Sequence, residues 1–267
     1  MRYLRLFLVQ FRTSALLAAQ YRVDAFLDPL LGTFWVFAAT LPLFIVYSGA
    51  SASGGAPAIP GWTFGEAMLV VACFTALQAV LDGAINPGLS AVVDHIRQGT
   101  LDFILLKPAD SQFLVSTARF QLWKAVGFVH AGILFGIAFN DIGRAPPVAG
   151  VFIALALLLL ATALLYSLWI LIVSTAFIVV KVDNLTYLFG SIFDAARWPA
   201  TVFRGALKYI FTFVIPLAVM TTFPAQALLD RLDYQTLGFS VLGSLGFVFL
   251  ARFVWLRSIR FYTSAGG

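Results

Sequence analysis

Charged residues are scarce in this chain, and their scarcity decides its class. Asp, Glu, Lys and Arg together make up 11% of the 267 residues, whereas hydrophobic residues make up 61%. Water-soluble domains carry about a quarter charged residues, and disordered chains are poor in hydrophobic ones. The composition therefore excludes a soluble globule, a disordered chain and a nucleic-acid-binding protein, and it indicates a membrane protein.

Residues that perform catalysis or bind metals are also rare. The chain has one cysteine, Cys73, which excludes an internal disulfide, and two distant histidines, His95 and His130. Neither histidine has a second His or Cys at the spacing of a metal site. The sequence contains no Gly-x-x-x-x-Gly-Lys-[Ser/Thr] phosphate loop and no nucleophile elbow. We therefore expect no catalytic residue, metal or cofactor in this chain.

Long runs with few or no charges dominate the rest of the sequence. About 20 apolar residues form a helix that crosses a bilayer. Six runs qualify, at residues 30–47, 67–93, 120–140, 145–180, 209–229 and 234–251. Because they leave little room for a soluble domain, we predict one all-α transmembrane domain over residues 1–267, with six transmembrane helices.

The basic residues predict how this domain is oriented. Loops rich in Lys and Arg stay in the cytoplasm. Such residues cluster before the first run, between the second and third, and after the last, whereas the loop at residues 48–65 has none. Both termini are therefore expected in the cytoplasm.

The N-terminal segment, residues 1–25, has the pattern of a helix that lies on the membrane surface. At 100° per residue Arg2, Arg5 and Arg12 fall on one face, and the leucines and phenylalanines of residues 4–11 gather on the opposite one. The basic residues are Arg2, Arg5, Arg12 and Arg22. We expect contact with anionic membrane lipid; the alternative is a frayed basic tail.

The most structured polar stretch is residues 94–108, between the second and third runs. Gly99 is typical of a helix end, and Pro108 closes a second amphipathic turn that starts at Thr100. This predicts a short cytoplasmic helix. Asp94, Arg97 and Asp102 are available to set its register against a soluble partner.

This stretch resembles the coupling segment of type-2 ABC exporter permeases. Residues 97–108 carry the pattern Arg-x-Gly-Thr-Leu-Asp-x-x-Leu-x-x-Pro, and the variant Leu-Asp-Phe-Ile-Leu-Leu-Lys-Pro is similar to a bacterial six-span subfamily often encoded as sister permeases with one ATPase. Three later motifs follow in the family's order: Arg197-Trp-Pro199, Phe213-Val-Ile-Pro216 and Phe223-Pro-Ala-Gln-Ala-Leu-Leu229. The resemblance covers essentially the whole chain.

The resemblance implies an ATP-driven exporter in the bacterial cytoplasmic (inner) membrane. A second permease, either an identical chain or a sister chain, would complete the translocation path through the membrane. A separate ATPase subunit would bind ATP and Mg. The implied contacts with that ATPase are Asp94, Arg97, Gly99, Thr100, Leu101, Asp102, Phe103, Leu105 and Pro108, with the three apolar side chains seated in a groove. The alternative is a non-transporting membrane scaffold or assembly protein.

The family layout and hydropathy disagree about residues 200–230. Hydropathy treats 209–229 as a full crossing. The family has an extracellular re-entrant hairpin here, bounded by Pro199 and containing Pro216 and Pro224, and residues 184–199 then cross instead. We favour the hairpin because prolines suit a broken segment buried against protein.

Ionisable and polar residues within the spans are candidates for a transport path, since charge at membrane depth is costly and often functional. Asp82, Asn86 and His130 are these candidates, although hydrogen bonding to neighbouring helices is the ordinary alternative. Asp194 and Arg197, three residues apart, are expected to pair.

Overall fold

The structure is a computed structural model that describes residues 2–20, 23–52, 58–178 and 183–262. Arg22 and the end of the fourth predicted run, residues 179–180, lie outside these ranges. The described residues form helices and contain no β-strand, which confirms the all-α membrane fold. In chain order the helices are α1 Arg2–Gln20, α2 Asp24–Ala52, α3 Phe64–Arg97, α4 Asp102–Leu105, α5 Ser111–Ser116, α6 Leu122–Ile142, α7 Val148–Phe177, α8 Asp183–Phe193, α9 Ala206–Val214, α10 Ala218–Leu228 and α11 Tyr234–Phe261.

Five of these helices, α2, α3, α6, α7 and α11, are long and apolar enough to cross a membrane. They coincide with five of the six predicted runs. The remaining run does not form one straight helix: α9 and α10 meet at 69°. Pro216 lies at the break, where its missing N–H interrupts the helical hydrogen bonds.

Local sequence signals explain where several helices begin and end. Thr63 and Glu66 form a reciprocal capping box at the start of α3. Asp233 caps α11 by accepting a hydrogen bond from the Thr236 amide. The amide and hydroxyl of Thr236 both donate to the Asp233 carboxylate and lower the pKa of this carboxyl. Gly143, with a φ of +72°, ends α6.

Helix α3 is the centre of the domain. In its most apolar stretch 67% of the residues are buried, whereas the corresponding figure for α2 is 6%. Helices α6 and α7 pack against α3, and α11 packs against α7. Large side chains in the resulting core include Leu69, Leu77, Leu89, Leu164, Leu165 and Trp255.

Two glycines allow helices to approach backbone to backbone. A methyl group on Gly150 of α7 would collide with the carbonyl oxygen of Ala227 in α10. A methyl group on Gly88 of α3 would lie 2.7 Å from the carbonyl oxygen of Val115 in α5. The broken segment α10 is therefore packed tightly into the domain.

Helix α1 packs along the connection between α5 and α6. Phe7 and Phe11 make edge contacts with Phe120, and the Phe120 amide donates to the Ser14 hydroxyl at 3.1 Å. The apolar face of α1, which was expected to meet lipid, therefore packs partly against protein. Its phenylalanines contact protein, while the side chain of Leu4 stays exposed.

Candidate functional site

The predicted coupling segment begins with a tight turn at the end of α3. Gly99 has a φ of +66°, a left-handed conformation that favours glycine. The Thr100 amide donates to the His95 carbonyl at 2.9 Å, and the Thr100 hydroxyl bonds to His95 Nδ1 at 2.7 Å. These two bonds fix the direction in which the chain leaves α3 and enters α4.

The apolar side chains of this segment point in different directions. Leu101 is 1% exposed and belongs to the hydrophobic core, with Leu105 packed partly against that core. Phe103 is 70% exposed and Leu106 is 81% exposed. Leu101 was expected in a groove of the ATPase, but the structure makes it the anchor of α4 in this chain. Leu106, which sequence reasoning did not place at the contact, shares the exposed side with Phe103.

The remaining predicted contact residues lie at or near the surface. Asp94, Arg97 and Pro108 are exposed, while Gly99, Thr100 and Asp102 are partly buried. The carbonyl of Pro108 accepts a hydrogen bond from Arg2 of α1. Tyr262, at the end of α11, lies near Asp102: burial and the charge of that carboxylate raise the pKa of its phenol. The segment therefore contacts α1 and the end of α11.

A polar network joins the residues after α4 to the membrane helices. Arg252 of α11 donates to both carboxylate oxygens of Asp110, at 2.5 and 3.1 Å, and to Gln112 at 2.9 Å. Gln112 in turn donates to the Tyr166 hydroxyl of α7 at 2.9 Å. Burial alone would raise the pKa of Asp110, but hydrogen bonds from Arg252 and the Phe113 amide outweigh it and lower the pKa.

Comparison with known proteins agrees with this architecture. The family described as ABC-2 family transporter protein matches residues 34–266, which is most of the chain. The chain belongs to the ABC-2 transporter family. It is thus a multi-pass membrane permease of an ABC transporter, a type of subunit that is normally non-catalytic and works with an ATPase partner. No curated protein and no solved structure matches the chain significantly.

Polar side chains form a continuous stripe along α3 of this ABC-2 permease. Its members recur every four residues: Gln78, Asp82, Asn86, Ser90 and Asp94. Gln78 donates to Asp82 at 2.8 Å, and Ser90 donates to Asn86 at 2.8 Å. Sequence reasoning found Asp82 and Asn86 but missed Gln78 and Ser90, although the four-residue spacing was a usable signal.

The stripe lines two cavities that share Gln78, Asp82 and Asp194. One, about 560 Å³, lies between α2, α3, the start of α6 and the turn at Asp194–Arg197. The other, about 470 Å³, extends towards Asp94 and includes Asn86 and Ser90. The helix widens to a π turn at Leu81–Ile85, beside both cavities. Such turns are frequent at functional sites.

Ion pairs and hydrogen bonds satisfy several polar residues of the larger cavity. Lys124 binds Asp28 at 2.8 Å, and Arg197 binds Asp194 at 2.8 Å, which confirms the expected pairing within 194–197. His130 bonds through Nε2 to the Thr33 hydroxyl at 2.9 Å. His130 is thus bonded to a neighbouring helix, and it also lines the cavity.

The three predicted hairpin prolines lie at irregular points of the backbone. Pro199 precedes the short turn Ala200–Val202, Pro216 lies at the bend between α9 and α10, and Pro224 is in the last part of α10. Thr221 and Thr222 of α10 bond to the backbone of Ala196 and Ala200, at 2.6 and 3.0 Å. Both threonines are buried, so the irregular start of α10 is held by protein.

Proposed function

We propose that this permease is one of two membrane subunits of an ATP-driven exporter, and that a separate ATPase docks on residues 94–108. The observation that carries the proposal is the exposure of Phe103 and Leu106 on one side of α4. Leu106 directly follows α4 with a helical backbone, three residues after Phe103, so the two side chains lie next to each other. Exposed apolar side chains beside charged ones are typical of a protein-binding surface.

The anchoring of α4 supports a role in transmitting movement. Leu101 places the start of α4 in the same core as Leu89 of α3, Val173 of α7 and Trp255 of α11. The Asp110–Arg252 pair holds the other end of the segment. A partner that moves α4 would therefore displace three membrane helices together, because packed cores transmit strain.

The membrane arrangement is part of the same proposal. Both termini lie in the cytoplasm of a bacterial cell, residues 184–199 make the sixth crossing, and α9 and α10 form a hairpin that enters the membrane from outside. The burial of Thr221 and Met220 supports the hairpin, since irregular backbone at membrane depth is tolerated where protein surrounds it. ATP and Mg are bound by the ATPase subunit.

The second permease subunit is proposed to cover the face formed by α2. Only 6% of the most apolar stretch of α2 is buried within this chain, the smallest share among its membrane helices. The partner is either an identical chain or a sister chain. Lipid covers the parts of the face that this partner leaves free.

Affinity purification from the native membrane tests the proposal. Mass spectrometry would compare what copurifies, in mild detergent with nucleotide, with wild type, with the double variant Phe103→Ala/Leu106→Ala, and with Lys107→Ala as a control in the same segment. We expect a Walker-motif ATPase with wild type and the control, and its loss from the double variant. A second permease in the sample decides between identical and sister chains. Absence of any ATPase from the wild-type sample would instead favour the scaffold function.

A further inference from the structure

The larger cavity of the α3 stripe contains one carboxylate more than it has cations. We call it the Asp82 cavity, after its carboxylate that has no cation partner. Its cations, Lys124 and Arg197, are already paired with Asp28 and Asp194. Among the described residues no cation lies within ion-pair distance of Asp82, which accepts its one hydrogen bond from Gln78. An ionised group within a membrane span is normally paired.

Gln78 adds a second unpaired acceptor next to this carboxylate. Its amide nitrogen donates to Asp82, and its Oε1 atom is buried without a hydrogen-bond partner in the part of the chain that the structure describes. A buried acceptor without a donor costs about 1–3 kcal/mol. Asp82 thus has a neutral amide donor from Gln78 but no charged donor, because the two cations of the cavity are paired elsewhere.

Apolar side chains line much of the rest of the Asp82 cavity. Leu31, Trp35 and Val36 of α2 and Phe74 of α3 line it. Trp35 is 67% exposed, on the helix that the rest of the chain covers least. The volume of about 560 Å³ lies in the range of about 300–1,000 Å³ that small-molecule sites occupy.

We propose that the Asp82 cavity binds an amphipathic molecule with a protonated primary amine. The ammonium group supplies the missing charge, and its N–H donors bond to the Asp82 carboxylate. The apolar body of the molecule lies along Trp35 and Phe74. A carboxylate head group is disfavoured because it would place another negative charge beside Asp82, and a hydroxyl offers one donor and no charge. This inference deepens the proposed function by naming a substrate class for the exporter.

Binding of dodecylamine to the full chain in phosphatidylcholine nanodiscs tests the inference. We expect wild type to bind dodecylamine at least about tenfold more tightly than dodecanol or dodecanoate, since a hydrogen-bonded charge contributes about 1.5–3 kcal/mol. Asp82→Asn keeps the side-chain shape and should lose this preference. Asp233→Asn removes the same charge at an exposed position and should keep it. Equal binding of amine and alcohol by wild type, or an unchanged preference in Asp82→Asn, overturns the inference.

Two further arms keep the test decisive if Asp82→Asn does not fold. Asp82→Glu retains the charge and should retain the preference for the amine. Dodecyltrimethylammonium has the charge but no N–H donor, and wild type should bind it about tenfold more weakly than dodecylamine. Equal binding of the two cations would show that N–H donation to Asp82 plays no part, and would overturn the inference.

The source of the amine is decided by the lipid of the nanodisc. Displacement of dodecylamine by phosphatidylethanolamine identifies a membrane aminophospholipid as the occupant, and no displacement identifies a free amphipathic amine; both outcomes support the amine site. Because no nucleotide or ATPase is present, amine binding can succeed where ATPase copurification fails, or the reverse. The inference and the proposed function therefore fail separately.

Discussion

Arg252 and Asp110 are 142 residues apart in sequence, and their side chains form a two-pronged ion pair. The pair joins the last membrane helix to the residue that caps α5, just after the exposed helix α4. Gln112 extends the contact to Tyr166 of α7. One polar cluster thus holds the segment after α4 against two membrane helices.

This ion pair predicts a pH-dependent contribution to stability. Asp110→Asn should lower the free energy of unfolding by about 1 kcal/mol at pH 7, because both side chains are partly exposed and solvent weakens the pair. The pKa of Asp110 is lower in the folded protein. Its contribution is therefore complete above the ordinary carboxyl pKa of about 3.9 and is lost as the pH falls through the lowered value.

Thermal unfolding in detergent at neutral pH and at about pH 3 measures this contribution. The difference in melting temperature between wild type and Asp110→Asn should be smaller at the lower pH. Asp94→Asn, at an exposed position on the neighbouring part of α3, serves as the control. The same difference in melting temperature at both pH values would contradict the predicted role of the ion pair.

Leu101 and Phe103 are predicted to differ sharply in their effect on stability. Leu101→Ala leaves a cavity in the core and should cost about 2–5 kcal/mol. Phe103→Ala changes an exposed side chain and should alter stability by about 0.5 kcal/mol or less. Denaturant or thermal unfolding of the purified permease measures both. Similar losses for the two variants would refute the assignment of Leu101 as anchor and Phe103 as exposed contact.

The contact between α7 and α10 predicts that Gly150 does not tolerate a side chain. Gly150→Ala pushes a methyl group against the Ala227 carbonyl and should cost about 1–3 kcal/mol. Gly132→Ala on α6 is the matched control, because no atom lies within 4 Å of its added methyl group. Thermal stability of the two variants in the same detergent provides the comparison, and an unchanged Gly150→Ala would mean that α10 moves freely against α7.

Sequence predicted the features whose signals are local. Apolar runs indicated α2, α3, α6, α7 and α11, since hydrophobic length alone decides which segments can cross a bilayer. The glycine before α4 indicated the turn that the structure shows. The break at Pro216 was also visible, because proline lacks the N–H that a continuous helix requires.

Sequence reasoning failed where the answer depends on distant residues. Helix α4 has four residues, too few for periodicity to decide that Leu101, just before it, is buried and Leu106, just after it, is exposed. The partner of Asp110 is far along the chain, and nothing near either residue indicates the pair. Gln78 and Ser90 are uncharged, and only their four-residue spacing from Asp82 and Asn86 marks them as part of the stripe.

Arg231 is predicted to stabilise the start of α3 through Glu66. Its guanidinium donates to both Glu66 oxygens, at 2.5 and 3.0 Å, and the Glu66 side chain is 7% exposed. Arg231→Ala leaves a nearly buried carboxylate without its cation and should cost about 3 kcal/mol. Arg231→Lys should cost less, since it keeps the charge but cannot donate to both Glu66 oxygens in the same two-pronged geometry.

A double-mutant cycle separates the ion pair from simple loss of packing at Arg231. Adding Glu66→Gln to Arg231→Ala removes the buried charge while an amide oxygen still accepts from the Thr63 amide, which bonds to Glu66 at 3.0 Å in the wild type. Thermal unfolding should therefore show the double variant to be more stable than Arg231→Ala alone. If the stability losses of Arg231→Ala and Glu66→Gln simply add in the double variant, the Glu66 carboxylate is already satisfied without Arg231. The capping box alone would then account for the start of α3.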